Sequence, residues 1–553
     1  GYIARRSITA TKADIPLIET AQSVSIVTAA QIEIQAADSL TEALNYTPGV
    51  QALAGDSTTS DGMVIRGFNV TGTAPTYLNG TKLARATFSG VTEPYGMERI
   101  EVLRGPASVL YGNAAPGGIV NMVTKQPLAD PLRELKLQLG SAQRRQLAGD
   151  FAGKLDDDGR LTYRVTGLLR RSETFVDHID DDRGYGAVAL RWAPTRDTSI
   201  TVLANHQSND TAYYYGLPYE GTTAPNRNGR IDRHRFTGEP GFNHFETKNT
   251  TAAWLLSHRI NEVFTVRQNL LHFRSKSRYA DLWNDSLDAT ERLLSRGAYT
   301  RADDNRAWTL DNQLEAKWRS GRIEHTTLIG LDYTESRFDR LQYGGTVAPL
   351  DLFRPVYGSP VTLDPNPEAA FGEKTRQLGV YVQQHMKLDS RWVLTLGGRH
   401  DKVKADETDR VAGSSASSYD DSAFTSRLGL IRLFDGGWAP YLSYAQSFEP
   451  ASGRAFDGSR FKPTKGRQYE IGLRHQPPGS DRSFTASVFD LTQTNVQTTD
   501  LAHPGFSVQQ GEVRSRGLEL EARARFLDRL NLIAAYTFLD NEVTRSHTGT
   551  TGN

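Results

Sequence analysis

The chain contains no cysteine, which excludes disulfide staples and thiolate-bound metals. It has no apolar run of about 18 residues, so it encodes no membrane-crossing helix. Basic and acidic residues balance at 64 each, leaving no electrostatic footprint for nucleic acid. Nucleophile elbows, glycine-rich phosphate loops and supported pairs of catalytic carboxylates are missing, so no enzyme activity is expected. His206, His234, His244 and His272 lack metal-ligand spacing. Asp156-Asp157-Asp158-Gly159 reads as a solvated acidic turn rather than a calcium loop. No signal peptide is legible, and both ends, at Gly1 and Asn553, read as cut.

What the chain does have is a recurring alternation. In Leu161-Thr162-Tyr163-Arg164-Val165-Thr166-Gly167-Leu168 the odd positions are apolar or small and the even ones mostly polar. Gln468 to Arg474 repeats the pattern, and Gly517-Leu518-Glu519-Leu520-Glu521-Ala522-Arg523 is its clearest instance. Successive strand residues face opposite sides, so these strands carry one greasy face and one charged face. In a soluble sandwich the charged face meets water; in an outer-membrane barrel the greasy face meets lipid and the charged face lines the lumen. A mean hydropathy of -0.50 is compatible with the barrel, where only every second residue need be apolar.

Three regions follow. Residues 1–14 are expected to be disordered. Residues 15–128 read as a compact mixed α/β domain. Its helical pattern runs from Gln31 to Leu44, with Ile34, Ala37, Leu40 and Leu44 on one face, Asp38 as a possible cap and Pro48-Gly49 as the stop. Short β runs follow at Met63–Ile65, Thr76–Leu78, Ile100–Leu103 and Gly118–Val123. Residues 129–553 form a meander with about 17 strand candidates, longer than typical soluble strands. Its turns alternate between short ones, such as Pro194–Asp197 and Asp435–Gly437, and long loops at Asp210–His244, Gly344–Lys374 and Ala405–Asp420. Short turns at one end and long loops at the other fit the two sides of an outer membrane.

Three stretches are more specific: Leu44–Val50 with Ile65-Arg66-Gly67-Phe68, then Met97 to Gly112, then Pro116 to Lys125. Together they resemble the plug domain of TonB-dependent outer-membrane transporters. The barrel half resembles the ferric hydroxamate, ferrichrome-type branch of that family, through Tyr213–Pro218, Ser447–Pro450, Lys465–Glu470 and Arg514–Glu519. The resemblance covers essentially the whole chain. It implies a mixed α/β plug inside an antiparallel transmembrane β-barrel, of 22 strands in the full family fold. With about 17 strands here, a C-terminally truncated receptor is expected, because an open edge cannot be satisfied in hydrocarbon.

The resemblance also implies a location, the Gram-negative outer membrane, and partners: a ferric siderophore, the TonB–ExbB–ExbD complex and outer-membrane lipid, with the receptor a monomer. No cofactor is expected, since iron arrives already chelated. Nothing before Ile8 matches the family's TonB box. By resemblance Arg66 and Arg104 pair with Glu470 and Glu519 as a plug–barrel latch, with Glu521 as an alternative partner. Solvated lumen residues are the alternative reading of the two glutamates. Ligand contacts are expected from Phe88, Tyr213, Tyr214, Tyr215, Tyr279, Trp283 and Tyr343, against the alternative of interfacial girdle residues. The family pattern has Trp where this chain has Gly216. It has Arg and Gln near Ala54 and Thr73, where neither is kept, which puts ferrichrome itself in doubt. Rival readings are a haem or cobalamin receptor of the same fold and a passive porin. Glu449-Pro450-Ala451-Ser452-Gly453 lacks the haem group's Asn-Pro box, and a porin needs no plug.

Overall fold

From Leu132 onward the alternating segments join, among the described residues, into one antiparallel sheet of nineteen strands, from Leu132–Leu139 to Leu530–Arg545, in which each long strand bonds to the next long strand along the chain. Two of them, Leu350–Asp351 and Thr362–Leu363, are two residues long and lie within a loop. This is the computed structural model of the chain, and it describes residues 2–53, 58–70, 76–411, 415–503, 505–526 and 530–546. No helix among the described residues is long and apolar enough to cross a membrane, a statement that leaves membrane-crossing strands open.

The two faces of the sheet answer the question posed by the alternation. On the outer series Leu137, Leu169 and Ile471 are 74%, 66% and 64% exposed, and Val188, Trp254 and Leu442 also stand uncovered. On the inner series Asp150, Arg183, Asp311, Arg399, Glu470 and Glu519 are buried. Water would reverse that preference, whereas lipid outside and a packed lumen inside satisfy it.

The lumen is filled by the N-terminal domain. Its core is a sheet in the order Val24–Thr28, Met97–Arg104, Gly118–Thr124, Thr76–Leu78, Thr81–Lys82. Inward side chains reach this domain from all around the wall: Arg183 to Glu93, Asn249 to Ser89, Asp311 to Lys12, Gln383 to Thr11, Arg427 to Ala10, and Glu519 to Arg66.

Several local expectations are corrected. The pattern from Gln31 to Leu44 is two short helices, Ala29–Gln35 and Leu40–Ala43. They are separated at Ala36, which turns left-handed (φ 48°) and closes the first helix with bonds back to Glu33 and Ile32. Ile34 is therefore exposed, and Ile32 is buried in its place. The cap of the second helix is Ser39, not Asp38, whose carboxylate pairs with Arg144 and Arg170 of the wall. Residues 2–14 are not an unstructured tail. Ser7 to Ala13 are buried apart from Ile8, and Arg6–Ser7 pairs with Ile15–Pro16. Ser7 and Thr9 both donate to Glu101 at 2.5 Å, and Lys12 reaches Asp311 at 2.8 Å. The long loop read at Ala405–Asp420 is mostly strand, since the ladder runs to Asp409 and resumes at Ser415.

Ile471→Arg, at the centre of the outer face of Thr464–His475, should lower the stability of the barrel in phospholipid bilayers by about 2–4 kcal/mol. A denaturant titration of the reconstituted variant that moved by less than about 0.5 kcal/mol would match an ordinary water-facing position instead.

Candidate functional site

Arg66 occupies the tip of a two-residue hairpin loop between Met63–Ile65 and Phe68–Asn69. Both loop residues are left-handed, Arg66 at φ 51° and Gly67 at φ 82°. Such a tip ordinarily selects Asn or Gly, so arginine there is disfavoured unless something holds it. What holds it is the wall. Nε and Nη2 donate to Glu519 Oε1 and Oε2 at 2.9 and 2.6 Å, while Nη1 donates to Glu470 Oε2 at 2.8 Å and Gln468 Oε1 at 2.7 Å. The guanidinium lies 3.9 Å over the ring of Phe489, on the strand between the two glutamates. Burial, the largest influence, works against its charge, but attraction to Glu519 and Glu470 more than offsets this and holds Arg66 protonated above the usual arginine range.

Arg104 ends the strand Met97–Arg104 beside this pair. Its Nη1 donates to Pro48 O at 2.9 Å and lies 3.2 Å from Glu519, and its Nη2 lies 3.7 Å from Glu521. The seam is close enough to forbid side chains: a Cβ on Gly49 (φ +74°) would fall 2.3 Å from Glu519 Oε1, and one on Gly105 would fall 2.3 Å from Gln468. The sequence does not signal Arg474, whose Nη groups donate to backbone oxygens of Leu17, Thr20 and Gln22, nor the Lys12–Asp311 and Arg183–Glu93 pairs.

At the long-loop end, Phe88 on a plug loop meets Tyr279 and Tyr213 at ring distances of 5.7 and 6.3 Å. Tyr213 meets Tyr215 at 5.0 Å and Tyr279 meets Tyr299 at 5.6 Å. Tyr215 and Tyr299 share a hydrogen bond at 3.3 Å. Burial pushes the phenols of Tyr213 and Tyr215 up, keeping both neutral. Arg301 stacks over Phe88 and Tyr279 and pairs with Asp303, which also holds Arg340. Beside this cluster opens a vestibule of ≈ 390 Å³, with Lys82, Asn113, Phe338, Arg340, Phe371 and Tyr419 among its walls. Burial pulls the Lys82 ammonium down to about 8.

Two of the seven aromatic candidates fall elsewhere. Tyr214 points away from its two neighbours and packs with Phe175 and a buried core of the extracellular loops. Tyr343 belongs to the outward series of Ile323–Thr346, with Leu331 and Tyr333, while the inner series carries Thr334 and Arg340. Trp283 shares the strand face of Tyr279 and Asp281, lies across Gly297 of the neighbouring strand and is 40% exposed. Ala54 and Thr73 lie outside the described residues. Among the described residues, no three His, Asp or Glu side chains converge as a metal site.

Comparison with known proteins agrees with this architecture. Residues 16–119 match the TonB-dependent Receptor Plug Domain, and residues 189–553 match the TonB dependent receptor-like beta-barrel. The chain is 37% identical to the ferrichrome outer membrane transporter/phage receptor of Escherichia coli (strain K12), covering 99% of this chain and 76% of that protein. It is 37% identical to the ferrioxamine B receptor of Salmonella typhimurium (strain SL1344), covering 96% and 76%. Among solved structures, the siderophore receptor PiuA from Acinetobacter baumannii superposes with a TM-score of 0.88 at 20% identity, over 100% of this chain and 84% of that one, a likeness of fold.

Arg66→Ala should destabilise the plug by about 3–5 kcal/mol, since Glu470 and Glu519 would be left buried without their main cation. Gly49→Ala should reproduce part of that loss, at least about 1–2 kcal/mol from its left-handed backbone alone. Protease resistance of the plug in the folded barrel measures both; resistance unchanged in Arg66→Ala would show that the seam does not hold the plug.

Proposed function

This chain belongs to the TonB-dependent outer-membrane receptors, and on that premise we propose that it captures a ferric siderophore of the hydroxamate class at the cell surface and imports it across the outer membrane. The observation that carries this reading is the aromatic cluster at the extracellular mouth, built jointly by the plug and the barrel wall. The relatives named for ferrichrome and ferrioxamine B supply the ligand class.

A ferric trihydroxamate is a compact chelate with an apolar flank and a rim of oxygens. Tyr213, Tyr215 and Tyr279 offer ring faces, and phenols in reach of the rim supply hydrogen bonds. Phe88 is the element that links binding to the plug, because it alone in the cluster belongs to that domain. Its neighbour Arg85 pairs with Asp61 and donates to Gly90 O, so displacement of Phe88 is transmitted along a plug loop already tied at several points. Gly216 leaves open space, with nothing within 4 Å of a Cβ there, where the family pattern places Trp. The pocket therefore differs in shape from the ferrichrome-type pattern on that side.

Release requires the plug to part from the wall. Arg66 and Arg104 form the latch with Glu470, Glu519 and Glu521, and the partner that supplies the pull from the periplasm is the TonB–ExbB–ExbD complex. Ligand occupancy shifts the population of plug states rather than breaking the latch itself. A haem or cobalamin ligand is the weaker reading, since relatives at 37% identity are named for ferrichrome and ferrioxamine B.

The direct test is growth of a receptor-null strain carrying the full-length gene on a panel of iron chelates. Ferrichrome or ferrioxamine B should restore iron-limited growth, and haem should not; growth on haem alone would overturn the proposal. Phe88→Ala and Tyr279→Ala should each weaken chelate binding about tenfold or more, the scale of losing a well-packed aromatic anchor. For the latch, Arg104→Ala and Glu519→Ala should reduce uptake less in combination than their separate losses predict. Strict additivity would mean the two residues act independently.

A further inference from the structure

The aromatic cluster is flanked on one side by three extracellular loops, 172–180, 212–243 and 347–368, that fold against one another. They share a small core in which Val176, Ile179, Ala212 and Phe236 are buried, with Tyr214 and Tyr357 packed on it. A second core forms around Ile231, Leu294 and Leu352. Between the cores stands Arg296, 6% exposed, on the strand Leu293–Ser320. Its Nη1 donates to Thr237 O at 2.9 Å and Gly238 O at 3.0 Å, and its Nη2 to Ala348 O at 2.8 Å and Glu239 Oε1 at 2.9 Å. Glu239 then accepts from Gly358 N at 2.6 Å. Tyr357 Oη donates to Phe236 O at 2.9 Å, and Arg235 Nε to Leu352 O at 2.9 Å. One guanidinium thus satisfies backbone carbonyls from two loops at once, a task for a planar fork that a point-charge ammonium cannot perform.

Both ends of loop 212–243 are also fastened to the ligand cluster. At its start, Tyr214 is anchored in the loop core while Tyr213 and Tyr215 face the cluster. At its end, Asn243 donates to Asp281 Oδ1 at 2.6 Å, and the other oxygen of Asp281 faces Tyr299 Oη at 3.4 Å, the same phenol that meets Tyr215.

We infer that Arg296 is a positioning residue for ligand capture. It pins loops 212–243 and 347–368 into a fixed wall that holds Tyr213 and Tyr215 in their binding pose before the ligand arrives, so this side of the mouth is not a closing lid. The inference depends on the functional reading above only for the identity of the ligand.

No cysteine occurs among these 553 residues, so introduced cysteines here can be labelled without background from this region. Spin labels placed through Tyr219→Cys and Val356→Cys, at exposed positions of the two loops, report their separation by dipolar EPR in the full-length receptor. The expected result is a narrow distance distribution that ferrichrome or ferrioxamine B at saturation leaves unchanged. Arg296→Gln should broaden that distribution and weaken chelate binding about tenfold, mainly through the on-rate, because only the fraction with ordered tyrosines is competent. Arg296→Lys should not rescue it. A ligand-induced shift of more than about 2 Å without any Arg296 substitution would make these loops a lid and overturn the inference. So would an Arg296→Gln receptor with unchanged width and affinity. Should Arg296→Gln not fold, the measurement with Arg296 intact still decides between wall and lid. Failure of both chelates to bind the receptor with Arg296 intact would count against the functional reading, while the width of the ligand-free distribution would still test the wall.

Discussion

Everything in this molecule follows from the cost of dehydrating charge. The barrel wall turns a charged face inward, and a lumen filled by a folded domain excludes the water that would otherwise solvate it. Each inward charge must therefore find a partner on the plug or on the neighbouring strand. Arg66 meets this demand for two strands at once, bridging Glu470 and Glu519 across Phe489. Asp150 does so from the wall, taking Lys125 of the plug and Arg164 of the next strand, both at 2.8 Å. The glycines at 49, 67 and 105 are the steric counterpart of these pairs, because the carboxylates and amides of the wall come too near for any side chain.

Much of this was legible in the sequence because a strand's parity is a strong signal. The three segments whose alternation is clearest, 161–168, 468–474 and 517–523, all lie within ladder strands, Leu161–Arg171, Thr464–His475 and Ser507–Phe526. Alternation is a weaker signal at the extracellular ends, where Leu293–Ser320 and Phe264–Leu287 continue as polar hairpins. Parity also held information that a reading by residue type passed over. Tyr343 has the opposite parity to Arg340 on the strand Ile323–Thr346 and faces the other way. The helical segment was harder, since the break at Ala36 depends on a left-handed residue that composition does not flag. Lys12 and Arg474 had no local signal at all, because their partners lie hundreds of residues away in the chain.

The extracellular mouth is divided by chemistry as well as by shape. On one side are aromatic rings with neutral phenols; on the other is a vestibule that mixes the charged groups of Lys82, Arg340 and Glu449 with the rings of Phe338, Phe371 and Tyr419. Arg301, Asp303 and Arg340 form the partition, one carboxylate between two guanidiniums, each stacked on rings of its own compartment. The partition also couples the compartments, since Asp303 cannot release one arginine without loosening the other.

The amino-terminal segment carries a mechanical consequence. It lies along the short-turn end of the lumen, with Arg5 bonded to Ser480 O, then Ser7 and Thr9 to Glu101, then Lys12 to Asp311. These attachments are strung out along the backbone, so tension applied at the leading end would load them one after another, as in peeling tape, rather than all together as in shear. The largest force needed is then set by the strongest single link instead of their sum.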